Sequence, residues 1–297
     1  MTAVAVLGIG RMGGAMAARL ASSGFDVVLY NRSPARAREL AASIGARHAT
    51  TPAEAVAGAA VAITMVSDDA AVREVYAGPA GVIAGLDHRT VAVDMSTVLP
   101  ATIQGLETAV RSTGAGILDA PVSGSVSSAS SGGLTIMVGG TEADLERARP
   151  VFDPLARSVI HVGALGAGAT IKLAVNAVIF GLNQAIAEAL VLAERSGVDR
   201  VAAYDVFRAS AAGAPFLEYK RAAFLEPETA PTAFALDLAA KDLRLILALA
   251  DEVGATMPQS GANLEMIRAA SADGGERDFS SVAGHLRDRA GDAGIRR

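Results

Sequence analysis

The chain contains no cysteine and no tryptophan, and only three of its 26 basic residues are lysine. Without cysteine there is neither a disulfide nor a thiolate metal site. The four histidines, His48, His88, His161 and His285, are too scattered to form a metal-ligand spacing, so no metal is expected. Positive charge is short as well: the net charge is −5, which gives no basic footprint for nucleic acid or an anionic membrane. No stretch approaches 18 uninterrupted apolar residues, so no membrane span is expected. The first residues lack a basic segment and reach Gly8 too soon for a secretory signal, which leaves the cytoplasm as the expected compartment.

What is there is a chain of 297 residues, 51% hydrophobic and 19% charged, long enough for two ordered domains. It opens with Ala3–Leu7, a short apolar strand. Gly8-Ile9-Gly10-Arg11-Met12-Gly13 follows, and then an Ala-rich helix over 15–21. In the order strand, G-x-G-x-x-G, helix, each glycine has a task. Gly8 permits the tight turn, Gly10 lets the backbone approach a pyrophosphate, and Gly13 lets helix and strand pack closely. The free N–H groups of the helix start face the phosphates, so Gly8 to Gly13 are expected to bind a dinucleotide.

The second strand, Asp26–Tyr30, ends in Asn31-Arg32-Ser33, where the fingerprint places the reader of the adenosine ribose. An acidic residue there would repel a 2′-phosphate, whereas an amide, a guanidinium and a hydroxyl can hold one. NADP(H) is therefore expected in preference to NAD(H). Alternation continues with a helix over 34–43, strands over 61–66 and 90–94, and helices over 70–76 and 101–112. Short strands at Gly116–Asp119, 134–138 and 159–162 complete the pattern, which is that of a doubly wound sheet with its ligand at the carboxyl strand ends. Met65, Val66 and Ser67, and the turn from Asp94 to Thr97, fall where a cofactor would lie. The turn Asp119-Ala-Pro-Val-Ser123-Gly124-Ser125 can present N–H groups and hydroxyls to a carboxylate. The Ser-rich patch that follows, 125–133, is of low complexity and reads as a loop.

After Gly163 the strand signal stops, and the rest reads as helical: 201–211, Leu236–Val253, 259–272 and 282–289, with a loose tail over 291–297. The expected boundary divides the chain into 1–162, a Rossmann-type NADP(H)-binding domain, and 163–297, an all-α domain for substrate and oligomerisation. A Gly-rich turn at 163–168 leads into one long helix ending near Arg195, which is expected to join them. At 100° per residue Lys172, Asn176 and Asn183 form one polar stripe on it. A lysine on a mostly apolar helix must be solvated, paired or used. Arginine cannot release its proton near neutrality and lysine can, so in a chain that otherwise uses arginine Lys172 is the candidate acid–base group.

These segments together resemble the β-hydroxyacid dehydrogenase family over 8–289. Four stretches carry the resemblance: the N-terminal glycine loop, Asp119-Ala-Pro-Val-Ser-Gly, Gly163-x-x-Gly-x-Gly-x-x-x-Lys172-x-x-x-Asn176, and Lys241-Asp242-Leu243. The resemblance implies that Lys172 is catalytic, that Asn176 orients the substrate, and that Ser123, Gly124 and Ser125 grip its carboxylate. It further implies that Thr97 and Lys241 line the site beside the nicotinamide, that Phe234 lies near the substrate, and that Asp242 pairs or caps. Ser125 departs from the family, which usually has a second glycine there. The implied reaction interconverts a small carboxylate-bearing hydroxy acid and its semialdehyde or oxo acid. The second domain is rich in apolar helices whose Ala-rich surfaces pack closely, so a homodimer or homotetramer is expected. Two other readings compete: an imine reductase-like NADPH enzyme, which generally lacks this lysine, and a non-catalytic NADP(H)-binding protein, which would have no reason to keep Lys172 with Asn176.

Overall fold

A computed structural model of the chain describes residues 2–272 and 274–292. The expected tail lies outside the described residues from 293 onward. Among the described residues there are nine strands: β1 Ala3–Leu7, β2 Asp26–Tyr30, β3 Arg47–His48, β4 Val61–Thr64, β5 Val91–Asp94, β6 Gly116–Asp119, β7 Val122–Ser123, β8 Leu134–Gly140 and β9 Ala156–Gly163. They form one sheet in the order β3-β2-β1-β4-β5-β6-β8-β7, with β9 also on β8. The six strands from β3 to β6 are parallel, and β8 pairs antiparallel with β6 and β7.

Strands buried on both faces read as continuous apolar runs, and β4, β5 and β6 are buried at every residue. Alternate residues face opposite ways. Val4, Val6, Ile63 and Val93 pack under the helices Arg11–Ser22, Pro34–Ile44 and Glu142–Phe152. Ala5, Leu7, Ala62 and Ala92 pack with Val72, Tyr76 and Val110 of the helices Asp69–Ala77 and Glu107–Ser112 on the other face. This is the doubly wound Rossmann architecture, and strand order reverses between β1 and β4, whose carboxyl ends carry Gly8 and Met65.

Several elements depart from expectation. Strand β4 stops at Thr64, so Met65 and Val66 belong to the turn beyond it. The helix expected over 101–112 is broken into Pro100–Gln104 and Glu107–Ser112 around Gly105. The Ser-rich patch is not simply a loop: Val126–Ser131 is helical, because Ser125 and Ser128 close a reciprocal capping box at its start.

Contacts divide the chain into two compact units, residues 1–172 and 173–297. The dividing point falls inside one continuous helix, Ala167–Arg195. By length and composition this helix is long and apolar enough to cross a membrane, although no uninterrupted apolar run in the sequence is. It also serves as a core helix. Asn183 donates to the Phe279 carbonyl at 3.1 Å, and Phe180 packs edge-on against Phe279 at 5.8 Å. The second unit is otherwise helical, with Arg200–Ala209, Pro215–Leu225, Leu236–Val253, Pro258–Ser271 and Val282–Asp292. Its aromatic core gathers Phe180, Phe216, Phe224, Phe234 and Phe279, with the fully buried Lys220 ammonium over the Phe279 ring and 2.7 Å from both Asp278 oxygens.

Candidate active site

At the carboxyl end of β1 the three glycines separate by what surrounds them. Gly8 has φ +89°, and a Cβ there would run into the Met65 carbonyl. A Cβ on Gly13 would collide with the Gly8 carbonyl, so both positions are fixed by packing. Gly10 differs: a Cβ there would meet nothing within 4 Å. The fold itself does not require glycine at 10, but close approach of a ligand to the backbone would. Arg11–Ser22 begins at Gly10 with no side-chain cap and no acidic residue in its first turn. Its N-terminal N–H groups and dipole thus suit an anion, and Gly8 to Gly13 fit a dinucleotide pyrophosphate.

Asn31 braces this loop from β2. Its Oδ1 accepts from Ile9 N at 3.3 Å, and its Nδ2 donates to the Ser33 carbonyl at 3.2 Å. Arg32 and Ser33 are exposed beside it, and Ser33 opens the helix Pro34–Ile44 without capping it. The Asn31 amide is therefore largely occupied with loop geometry, while the guanidinium and hydroxyl are the groups presented to solvent.

The ends of β4 and β5 are laced together. Ser96 Oγ accepts from Val66 N at 3.0 Å, and Asp94 accepts from Ser96 N at 3.0 Å and from Ser96 Oγ at 3.3 Å. Burial pushes the Asp94 carboxyl up to about 7, the Ser96 hydrogen bonds oppose it, and the nearby Asp119 and Asp69 charges add to it. Asp94 and Ser96 thereby fix the turns bearing Met65, Val66, Ser67 and Thr97. Sequence reasoning placed the turn but not this role, for which an aspartate at a strand end followed two residues on by serine was the available signal.

Asp119 closes β6 and pairs in register with Asp94. Its Oδ1 accepts from Gly166 N at 2.8 Å and its Oδ2 from Ala169 N at 2.6 Å. Burial raises its pKa against these amide bonds. Gly139 and Gly168 make room: a Cβ on Gly168 would come within 2.6 Å of the Asp119 carbonyl, and one on Gly139 would strike its carboxylate. The glycines of the 163–168 turn therefore serve close packing of the helix start. Beyond Asp119, Gly124 has φ +140° and Ser123 is half-buried. Ser125 N is engaged by Ser128 Oγ at 3.2 Å, and Ser125 Oγ lies 2.7 Å from Ser127 Oγ.

Lys172 is half-buried on the long helix, and Asn176 stands one turn further on the same face. In the second unit Asn176 is buried, and its Nδ2 donates to Asp242 Oδ2 at 2.7 Å. Lys241 Nζ lies 2.7 Å from Asp242 Oδ1. Asp242 thus gathers Asn176 and Lys241, two residues that the resemblance named separately. Phe234 packs 6.2 Å from Phe180 and 5.6 Å from Phe279, and its N–H is held by Asp278 at 3.1 Å. Asn183, the third residue of the expected polar stripe, serves the fold through Phe279. Among the described residues no cluster of His, Asp or Glu suited to a metal ion is found.

A doubly wound sheet with a glycine turn open at Gly10, followed by a helical unit, is an architecture suited to an NAD(P)-binding dehydrogenase. Residues 3–163 match the model of the NAD-binding domain of 6-phosphogluconate dehydrogenase, and residues 166–286 match that of the NAD-binding region of NADP-dependent 3-hydroxyisobutyrate dehydrogenase. Glyoxylate/succinic semialdehyde reductase 1 of Arabidopsis thaliana is 35% identical over 94% of this chain and 96% of its own. The 3-sulfolactaldehyde reductase of Escherichia coli is 33% identical over 98% of each chain. The structure of 3-hydroxyisobutyrate dehydrogenase from Mycobacterium tuberculosis with L-serine superposes with a TM-score of 0.85 at 35% identity, covering 97% of this chain and 99% of that one. The chain belongs to the β-hydroxyacid dehydrogenase family and is an NAD(P)-dependent oxidoreductase.

Proposed function

We propose that the protein interconverts a small carboxylate-bearing hydroxy acid and its semialdehyde or oxo acid, with NADP(H) preferred and Lys172 as the proton-transferring group. The observation that carries this is the Lys172–Asn176 pair one turn apart on the long helix, with Asn176 buried and held by Asp242. The relatives named for semialdehydes and sulfolactaldehyde act on aldehydes that bear an anionic group, which supports the substrate class.

In this reading residues 1–162 hold the dinucleotide through Gly8, Ile9, Gly10, Arg11, Met12 and Gly13, with Asn31, Arg32 and Ser33 at the 2′-phosphate and Met65, Val66, Ser67 and Thr97 along its length. Residues 163–297 contribute Asn176, Phe234 and Lys241 and mediate self-association as a homodimer or homotetramer. Exposed Val178, Leu192 and Val206 support association through this unit. We assign the protein to the cytoplasm.

A bound nicotinamide supplies or accepts the hydride. Lys172, as ammonium, gives its proton to the alkoxide oxygen as reduction proceeds, and takes it back in oxidation. Its charge stabilises the developing oxyanion in the same step. Asn176, whose amide is held in one orientation by Asp242, orients the substrate in this reading. Ser123 and Gly124 bind the carboxylate beside Ser125, whose N–H and hydroxyl are both engaged with Ser127 and Ser128 and hold the start of the following helix.

NADPH consumption across a panel of small aldehydes tests the reading. Semialdehydes with a carboxylate should turn over, and their amide or methyl analogues should lose at least a hundredfold in kcat/KM because buried donors are left unpaired. Equal turnover of uncharged aldehydes would refute the carboxylate site. Arg32→Asp should reverse or abolish the preference for NADPH over NADH, at a cost of about 1.5–3 kcal/mol for the lost charge-assisted contact. Equal affinity of the wild-type protein for both cofactors would refute the assignment of Arg32.

A further inference from the structure

The long helix starts without a cap of its own. The residue before it, Gly166, has no side chain and sits at φ +95°, so the orphan amides of the first turn need an acceptor from elsewhere. Asp119, 47 residues earlier, supplies it with both oxygens, one to Gly166 N and one to Ala169 N. Ala169 is three residues from Lys172, and Asp119 is four residues from Ser123 at the end of the fully buried β6. One carboxylate therefore lies between the loop assigned to the substrate and the helical turn that leads to the proton donor.

We propose that Asp119 is a positioning residue of the reaction: by fastening the first turn of the long helix to the end of β6, it fixes Lys172 relative to Ser123 and Gly124. The proposal rests on Lys172 being the proton donor. Hydrogen bonds from N–H groups to a carboxylate are short and strong, and the helix dipole favours the anion at this end. The surroundings allow no slack. The Gly168 backbone lies against the carbonyls of Asp119 and Met137, and the Gly139 backbone lies against the Asp119 carboxylate and Gly168 N, with no room for a side chain at either glycine. A displacement on the order of 1 Å at a reacting group costs roughly a hundredfold in rate, so a clamp this close to Lys172 acts on turnover.

Asp119→Asn keeps the size and one acceptor but turns an NH2 toward one of the two amides. Turnover (kcat) should fall at least tenfold, while the NADPH dissociation constant, read from nicotinamide fluorescence, stays within twofold. The amides of Gly166 and Ala169 should lose hydrogen-exchange protection, with those of β1 and β5 unchanged. Ala169→Pro is the second variant: a first helical turn tolerates proline, and the ring carbon that replaces the N–H both removes one of the two bonds and pushes Asp119 Oδ2 away, so kcat should fall at least threefold. Loss of protection at Gly166 and Ala169 in Asp119→Asn with undiminished kcat would overturn the proposal, as would a cooperatively folded Ala169→Pro protein with undiminished kcat, or kcat and NADPH affinity falling in parallel in either variant. Lys172→Ala, measured alongside, separates the two readings. If that variant keeps its turnover, the proton-donor reading fails; if it is inactive while Asp119→Asn is fully active, only the positioning role fails.

Discussion

The two units both bury carboxylates, and they handle them in opposite ways. In the helical unit Asp278 receives both a cation and N–H groups: Lys220 Nζ lies 2.7 Å from each oxygen, and Ser280, Ala233 and Phe234 donate to it as well. Burial pushes its pKa up, but the Lys220 charge and these bonds outweigh burial and hold the carboxyl below the ordinary range. At the strand ends of the first unit, the bonds that Asp94 and Asp119 accept come from peptide N–H groups and one serine hydroxyl, and burial wins at both. An ammonium in contact stabilises a buried charge; hydrogen bonds alone only reduce its cost. The same contrast separates the lysines. Lys220 is buried in the core against Asp278, whereas Lys172 is half-buried on a helix whose first turn donates to Asp119.

The sharpest way to break that contrast is at Lys172. Lys172→Ala should lower kcat by about 10²–10⁴-fold, the range for loss of a general acid. NADPH affinity should change little, because the glycine loop and Arg32 are untouched. Lys172→Arg keeps charge and approximate length but replaces a tunable acid with a group that does not release its proton. Near-normal turnover of a cooperatively folded Lys172→Arg protein would leave Lys172 as an electrostatic anchor only.

Lys220 should behave in the opposite manner. Lys220→Met leaves Asp278 buried without its cation, and breaking such a pair costs about 3–5 kcal/mol of stability. Thermal or urea unfolding reads this directly. Because Asp278 is held below its unfolded value, its contribution is present above the ordinary carboxylate pKa and is lost as pH falls through the lowered one. The destabilisation by Lys220→Met should therefore be largest near neutrality and shrink in acid. A variant as stable as the wild type would mean that the pair adds nothing over an apolar contact.

Local signals made the first half of this picture legible. The spacing of Gly8, Gly10 and Gly13 between a strand and a helix, and the apolar runs of β1, β4, β5 and β6, are read within a few residues of one another. The clamps were not legible, because their partners are far apart in sequence: Asp119 with Gly166 and Ala169, Asn176 with Asp242, and Lys220 with Asp278 are each separated by 47 residues or more. Strand β3 escaped notice because it has only two residues, both exposed, with no apolar period to betray it. The helix Val126–Ser131 was hidden by hydroxyl-rich composition, and its start depends on side chains bonding back to the backbone. Of the site, residue types were visible and the second tier that aims them was not. Asp119 and Asp242 stand inside the stretches that carry the family resemblance, which implied that Asp242 pairs, but the partners of Asp94, Asp119 and Asp242 follow only from the fold.

Asp94 offers the smallest effect and the finest test, because its sign is opposite to that of Asp278. Its carboxyl stands at about 7 in the folded protein, against about 3.9 in an unfolded chain. Between those values the folded form holds a proton that the unfolded form has lost. Stability from this group is therefore fully present below about pH 4, declines as pH rises, and is gone above about pH 7. Asp94→Asn cannot titrate, and its amide oxygen can still accept from Ser96 N. The melting temperature of the wild type relative to Asp94→Asn should thus fall by several degrees between pH 4.5 and pH 8, with most of the change below pH 7. Asp278 titrates below this window and contributes no slope within it. Melting curves at constant ionic strength decide the matter: a difference between the two proteins that stays flat from pH 4.5 to 8 would mean that burial does not hold Asp94 away from its charged form, and that the contrast with Asp278 is one of geometry alone.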